Sequence, residues 1–133
     1  MIVDTSALLA YFDQAEAQHP AVSAVIDAAD QCVVSPYVLA ELDYLVTSRY
    51  GREAELAILQ ELLEGDWELA SLSADDLAET RDVLARYDET IGLADASNLA
   101  LARRYRDQTI ATLDRRHFSY IHASGLPPLT IMP

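Results

Sequence analysis

The chain has no lysine, a single cysteine and no apolar run long enough to cross a bilayer, and each lack removes a class of protein. Phosphoryl-accepting receiver domains carry strand-end aspartates in a doubly wound sheet but depend on a nearby lysine, which this chain does not have. The lone Cys32 cannot close an internal disulfide, so a reducing, cytoplasmic home is expected. No apolar stretch approaches the ~18 residues of a membrane span. No basic segment precedes an apolar run near the start, so a secretory signal is not expected. The three histidines, His19, His117 and His122, form no HxxxH pattern and no CxxC motif exists, which excludes the usual zinc spacings. Positive charge is also scarce. Twenty-two acids face nine bases, all arginine, for a net charge of −13, which argues against a protein that wraps nucleic acid with a basic face. That charge suits a metal-dependent site or a basic protein partner at least as well. Five of the nine arginines (Arg103, Arg104, Arg106, Arg115 and Arg116) nevertheless cluster late in the chain, where the local charge runs opposite to the total.

What remains is an ordinary globular composition, 51% apolar over 133 residues, without repeats, low-complexity tracts or a linker, so one domain over 1–133 is expected. Short apolar runs alternate with amphipathic stretches of helical length. Strands are expected over 1–4, 31–35, 67–72, 108–114 and 128–133. Helices are expected over 6–13, 21–30 (opened by His19 and Pro20), 36–50, 53–65, 74–89 (capped by Ser73) and 91–106. Pro36 fits the first turn of its helix. This alternation implies an α/β fold with a mostly parallel sheet of about five strands and helices on both faces. In such sheets ligands sit beyond the carboxyl ends of the strands.

Four of the 22 acids stand in apolar surroundings; the other 18 lie in polar stretches or on solvated helix faces. Asp4 ends the first strand and Asp114 ends the strand at 108–114. Asp95 opens a helix and shares a face with Asn98, Leu99 and Ala102, the stripe expected to meet the core. Glu41 is flanked around its helix by Tyr37 and Tyr44 on one side and by Val38 and Leu45 on the other. It is therefore expected inside the apolar arc, with its rival Asp43 at the margin. Simpler roles stand beside these: Asp4 or Asp114 as caps, Asp95 as a helix-dipole charge, Glu41 as an arginine's partner. None of them explains a common location at one sheet edge.

Two carboxylates 4 Å apart repel by on the order of 4 kcal/mol at an effective dielectric near 20, so a cluster of four calls for a cation. Oxygen donors alone favour a hard ion, Mg²⁺ or Mn²⁺. Such an ion handles phosphates: it activates a water, offsets charge on the phosphorus and steadies the leaving oxygen, with one ion or with two ~3.5–4 Å apart. Thr5, Ser6 and Thr112, with Asn98, are placed to orient the carboxylates and the ion's waters. The late arginines are placed to hold flanking phosphates.

The stretches MIVDTSALLAYFD, SPYVLAELDYLV, IGLADASNLALARRY and TIATLDRRHFS, taken in order, resemble the PIN-domain family, and within it the VapC-type toxins of prokaryotic toxin–antitoxin pairs. The resemblance covers essentially the whole chain. The family's acids fall on Asp4, Glu41, Asp95 and Asp114. It implies a Mg²⁺- or Mn²⁺-dependent endoribonuclease that cuts structured RNA, transfer RNA or a ribosomal RNA loop, for which Arg115 and Arg116 of the late arginine cluster are the expected RNA contacts. It also implies a homodimer silenced by a cognate antitoxin with a basic tail. A haloacid-type phosphatase wants a second aspartate where this chain has Ser6. An inactive PIN-fold module kept for partner contact is the alternative from another class.

Overall fold

The computed structural model describes residues 1–87, 91–116, 118 and 129–133. Five strands and six helices alternate as β1 (Ile2–Val3), α1 (Thr5–Phe12), α2 (His19–Asp27), β2 (Cys32–Val34), α3 (Pro36–Tyr50), α4 (Arg52–Glu64), β3 (Trp67–Leu69), α5 (Ala74–Arg86), α6 (Leu93–Tyr105), β4 (Thr109–Ala111) and β5 (Thr130–Met132). The strands form one sheet in the order β3-β2-β1-β4-β5, and every pairing is parallel. The expected topology class therefore holds, and the sheet is wholly rather than mostly parallel.

Alternation along the short strands divides the core in two. In register, Ile2 pairs with Val33 and Ile110, and Val3 pairs with Val34 and Ala111. Ile2, Val33 and Ile110 point to the face covered by Val83 of α5, by Leu99 and Leu101 of α6, and by Phe118. Val3, Val34 and Ala111 point to the other face, against Leu8 of α1, Val22 of α2, Val38, Leu42 and Val46 of α3, and Leu62 of α4. A strand buried on both faces reads as a continuous apolar run, which is why two residues suffice to mark β1.

Helix ends follow local chemistry. Ser35 accepts from the Tyr37 N–H at 3.2 Å to open α3, with Pro36 in the first turn. Ser73 and Asp76 cap α5 reciprocally: the Asp76 N–H donates to the Ser73 hydroxyl, and the Asp76 carboxylate accepts from the Ser73 N–H. Gly51, at φ 88°, takes the left-handed turn that separates α3 from α4. The expected helix over 91–106 is trimmed because Gly92 serves as its cap. The strands are two or three residues long, shorter than the periodicity suggests. Of the expected helix over 74–89, residues 88–89 lie outside the described residues, as does residue 128 of the last expected strand. Among the described residues no helix is long and apolar enough to cross a membrane.

The sheet order reverses between β1 and β4. Chain leaving β1 turns to one face into α1, while β4 is reached from the other face through α6. A crevice opens at that switch, beyond the carboxyl ends of the two strands.

Candidate active site

Asp4 follows β1 directly and is 5% exposed. It occupies the N-cap position of α1, yet its carboxylate makes no capping hydrogen bond. The carboxylate is held sideways instead. Oδ2 accepts from the Ser6 hydroxyl at 2.9 Å and the Thr112 hydroxyl at 2.8 Å, and Oδ1 accepts from the Asn98 amide at 3.2 Å. Each hydroxyl has one proton to give. Having given it to Asp4, Ser6 accepts from the Leu113 N–H and Thr112 from the Asp114 N–H. Two side-chain hydroxyls thus stitch the chain leaving β4 to the carboxylate leaving β1. The cap reading for Asp4 fails; the orienting roles expected of Ser6, Thr112 and Asn98 are matched by hydrogen bonds. Thr5 differs. It is 2% exposed, and its hydroxyl has no hydrogen-bond partner among the described residues.

Asp114 Oδ1 accepts from the Arg116 N–H at 3.2 Å, and Asp95 Oδ2 accepts from the Gly92 N–H at 3.1 Å. Asp114 therefore does the local capping work weighed for it, Asp95 caps its helix as well as sitting in the first turn where a dipole role was weighed, and both also line the crevice with Asp4. Asn98, one turn after Asp95, is fully buried, with Leu99 and Ala102 at 3% on the same stripe, as the helical arithmetic required.

The expectation that Glu41 lies inside the apolar arc of α3 does not hold. The apolar arc of α3 is Val38, Leu42 and Val46, four residues apart, while Tyr44 is 70% exposed and Glu41 itself is exposed. Glu41 belongs to the adjoining stripe with Leu45 and Arg49, and that stripe lines the crevice. Asp43, by contrast, pairs with Arg52 at 3.7 Å outside it.

The crevice is open and has a volume of about 490 Å³. Its walls are two helical stripes, Thr5, Leu9 and Asp13 of α1 with its C-terminal cap, and Glu41, Leu45 and Arg49 of α3; Asp95 and Asp114 close one end. Asp13, Glu16, Arg49 and Tyr50 were not anticipated. Arg49 was within reach of the same arithmetic, two turns beyond Glu41. Asp13 and Tyr50 meet only through tertiary packing: the Tyr50 hydroxyl donates to Asp13 at 2.6 Å across 37 residues of sequence. That bond, with the Ala15 N–H, holds the Asp13 carboxyl below its usual range, and Arg49 adds a smaller pull. The same bond pushes the Tyr50 phenol up.

The late arginines divide. Arg103 pairs with Glu79 at 2.5 Å and Arg104 with Asp76 at 2.5 Å, so these two tie α6 to α5 rather than face a ligand. Arg115 and Arg116 follow Asp114 and are exposed, and Arg115 donates to the Pro133 carbonyl. His117 and His122 lie outside the described residues, and His19 contacts the Ala10 carbonyl at 2.9 Å.

The donor set is all oxygen, which fits a hard cation. Among the described residues no three such ligands stand close enough together to form a cage. That spacing fits an ion that keeps much of its water and takes one or two carboxylates, as Mg²⁺ does.

Comparison with known proteins agrees with this architecture. The family model described as PIN domain matches residues 1–122. Ribonuclease VapC26 of Mycobacterium tuberculosis is 56% identical over 135 residues, covering all of both chains. Two solved structures share the fold. The crystal structure of M. tuberculosis VapC20, described as a sarcin-ricin loop cleaving toxin, superposes with a TM-score of 0.82 at 24% identity, over 99% of this chain and 98% of that one. FitAcB from Neisseria gonorrhoeae superposes with a TM-score of 0.63 at 18% identity, over 99% and 96%. A doubly wound sheet with acids gathered at its switch point, a family match over nearly the whole length and a full-length VapC relative lead to one assignment: the chain belongs to the PIN-domain family, among its VapC-type members.

Proposed function

We propose that this protein is a Mg²⁺- or Mn²⁺-dependent endoribonuclease, the toxin of a toxin–antitoxin pair, with Asp4, Glu41, Asp95 and Asp114 as its metal-holding and catalytic acids. The observation that carries the reading is that all four line one open crevice at the carboxyl edge of the sheet. Full-length identity of 56% to a protein named as a ribonuclease supports the same chemistry.

Asp4 is the fixed member. Asn98, Ser6 and Thr112 orient both of its oxygens, so it presents the same lone pairs before and after substrate arrives. Glu41, Asp95 and Asp114 bring further oxygens from α3, α6 and the end of β4. These acids would hold a divalent ion, which when bound would supply Lewis-acid stabilisation of the phosphodiester and a water of lowered pKa. The open mouth admits a folded RNA, for which transfer RNA and a ribosomal RNA loop are the proposed classes, and Arg115 and Arg116 hold its flanking phosphates. A basic antitoxin tail is the natural partner for a chain of net charge −13, and the active form is a homodimer.

The test is cleavage of a transfer RNA and ribosomal RNA pool by the purified protein. Cutting is expected with Mg²⁺ or Mn²⁺ and is lost with chelator, and Asp4→Asn or Asp95→Asn falls by at least about a hundredfold. Both variants cutting as fast as the unaltered protein would sink the site assignment.

A further inference from the structure

The crevice is not uniformly acidic. Among the described residues, six carboxylates line it (Asp4, Asp13, Glu16, Glu41, Asp95 and Asp114) against one guanidinium, that of Arg49. The α3 stripe spreads its part of the lining along the groove: Glu41, Leu45 and Arg49 stand on successive turns, and Arg49 interacts with Asp13 and Tyr50. Arg49 is eight residues beyond Glu41 on the same helical stripe, about 12 Å along the axis of α3. Arg49 lies on the helix following β2 and the Arg115–Arg116 pair on the chain following β4, and β2 and β4 lie on either side of β1 in the sheet.

On the ribonuclease reading above, we propose that Arg49 is an RNA-positioning residue, holding a backbone phosphate that flanks the cut, so that the strand runs along the groove between α1 and α3. An arginine that merely complemented the helix dipole needs no place inside a substrate-sized groove. One that merely served Asp13 would duplicate the bonds already made to it by Tyr50 and the Ala15 N–H. A planar guanidinium also matches phosphate geometry in a way a point charge does not.

The experiment measures the affinity of fluorescein-labelled transfer RNA and of a labelled RNA stem-loop by anisotropy over a range of KCl, with Ca²⁺ in place of Mg²⁺ to fill the oxygen site. Arg49→Ala is expected to weaken binding about tenfold and to flatten the log Kd against log salt slope by about 0.7, the value of one lost phosphate contact. Arg49→Lys should keep the slope and recover part of the affinity. Tyr50→Phe, which removes the hydroxyl's contacts with both Asp13 and Arg49 but keeps the guanidinium charge, should keep the slope of the unaltered protein. Equal affinity and slope for Arg49→Ala and the unaltered protein overturns the Arg49 assignment alone. Equal weakening by Arg49→Ala and Tyr50→Phe without a slope change shows a structural role and also overturns it. No RNA binding by the unaltered protein overturns the ribonuclease reading, and the assignment with it.

Discussion

At the scale of single residues, the account turns on how one carboxylate is held. Asp4 receives three hydrogen bonds from side chains that come from α1, α6 and the segment after β4, and none of them is spent on capping. Thr112 carries two of the links, giving its proton to Asp4 and accepting the Asp114 N–H, so it couples the positions of two of the proposed catalytic acids. Thr112→Val keeps the shape and removes both bonds. The expected result is a 10- to 100-fold fall in RNA cleavage, of the order seen when groups that orient metal ligands are lost, with the fold retained by circular dichroism. An unchanged rate would show that Asp4 and Asp114 hold their places without it. Sequence was a good guide here for Asp4, Asp95 and Asp114, because each interrupts an apolar pattern at a strand end or helix start. For Glu41 it led to a crevice-lining residue by a faulty route: the tyrosines counted as its apolar neighbours include Tyr44, which faces water. Asp13, Glu16 and Tyr50 were missed because nothing local marks them, and Arg49 because the stripe of Glu41 was not followed two turns further. Their shared location comes from how α1 and α3 pack.

At the scale of elements, burial and hydrogen bonding fix α5 against α6. Burial disfavours the ionised form of Asp76, but bonds from the Ser73 N–H and hydroxyl and the Arg104 charge outweigh it, and its carboxyl is held below the ordinary 3.8. A carboxyl whose pKa is lower in the folded state stabilises the fold above its unfolded pKa. That contribution is lost as pH falls through the folded value. Melting temperature followed from neutral pH into acid should therefore drop for the unaltered protein below about pH 4. Asp76→Asn should start lower, by about 1 kcal/mol for the weakened cap, and the gap should close in acid. A gap that stays constant across that range would rule out the ionised Asp76 as its source. Sequence reading placed nearly all helices and strands because signals such as Pro36 and Ser73 are local, though it ran the helix at 91–106 through Gly92, which caps it. It overran most strand ends because a buried apolar run does not say where pairing stops. Pairing of Arg103 and Arg104 with acids of α5 was likewise invisible, since the one-dimensional cluster hides which side of α6 each arginine takes.

At the scale of the whole molecule, a doubly wound sheet brings together acids separated by up to 110 residues, and it does so at the one place where the chain turns to opposite faces. The negative charge that argued against a nucleic-acid binder is concentrated in part where a hard cation would reverse its sign. The measurement that tests this most directly is Mn²⁺ binding by titration calorimetry to the unaltered protein and to Asp4→Asn, Asp95→Asn, Asp114→Asn and Glu41→Gln. Saturable binding in the unaltered protein, weakened at least about tenfold by Asp4→Asn and by at least one substitution from another strand or helix, is the predicted result. Binding that is absent from the unaltered protein, or indifferent to all four substitutions, would contradict it.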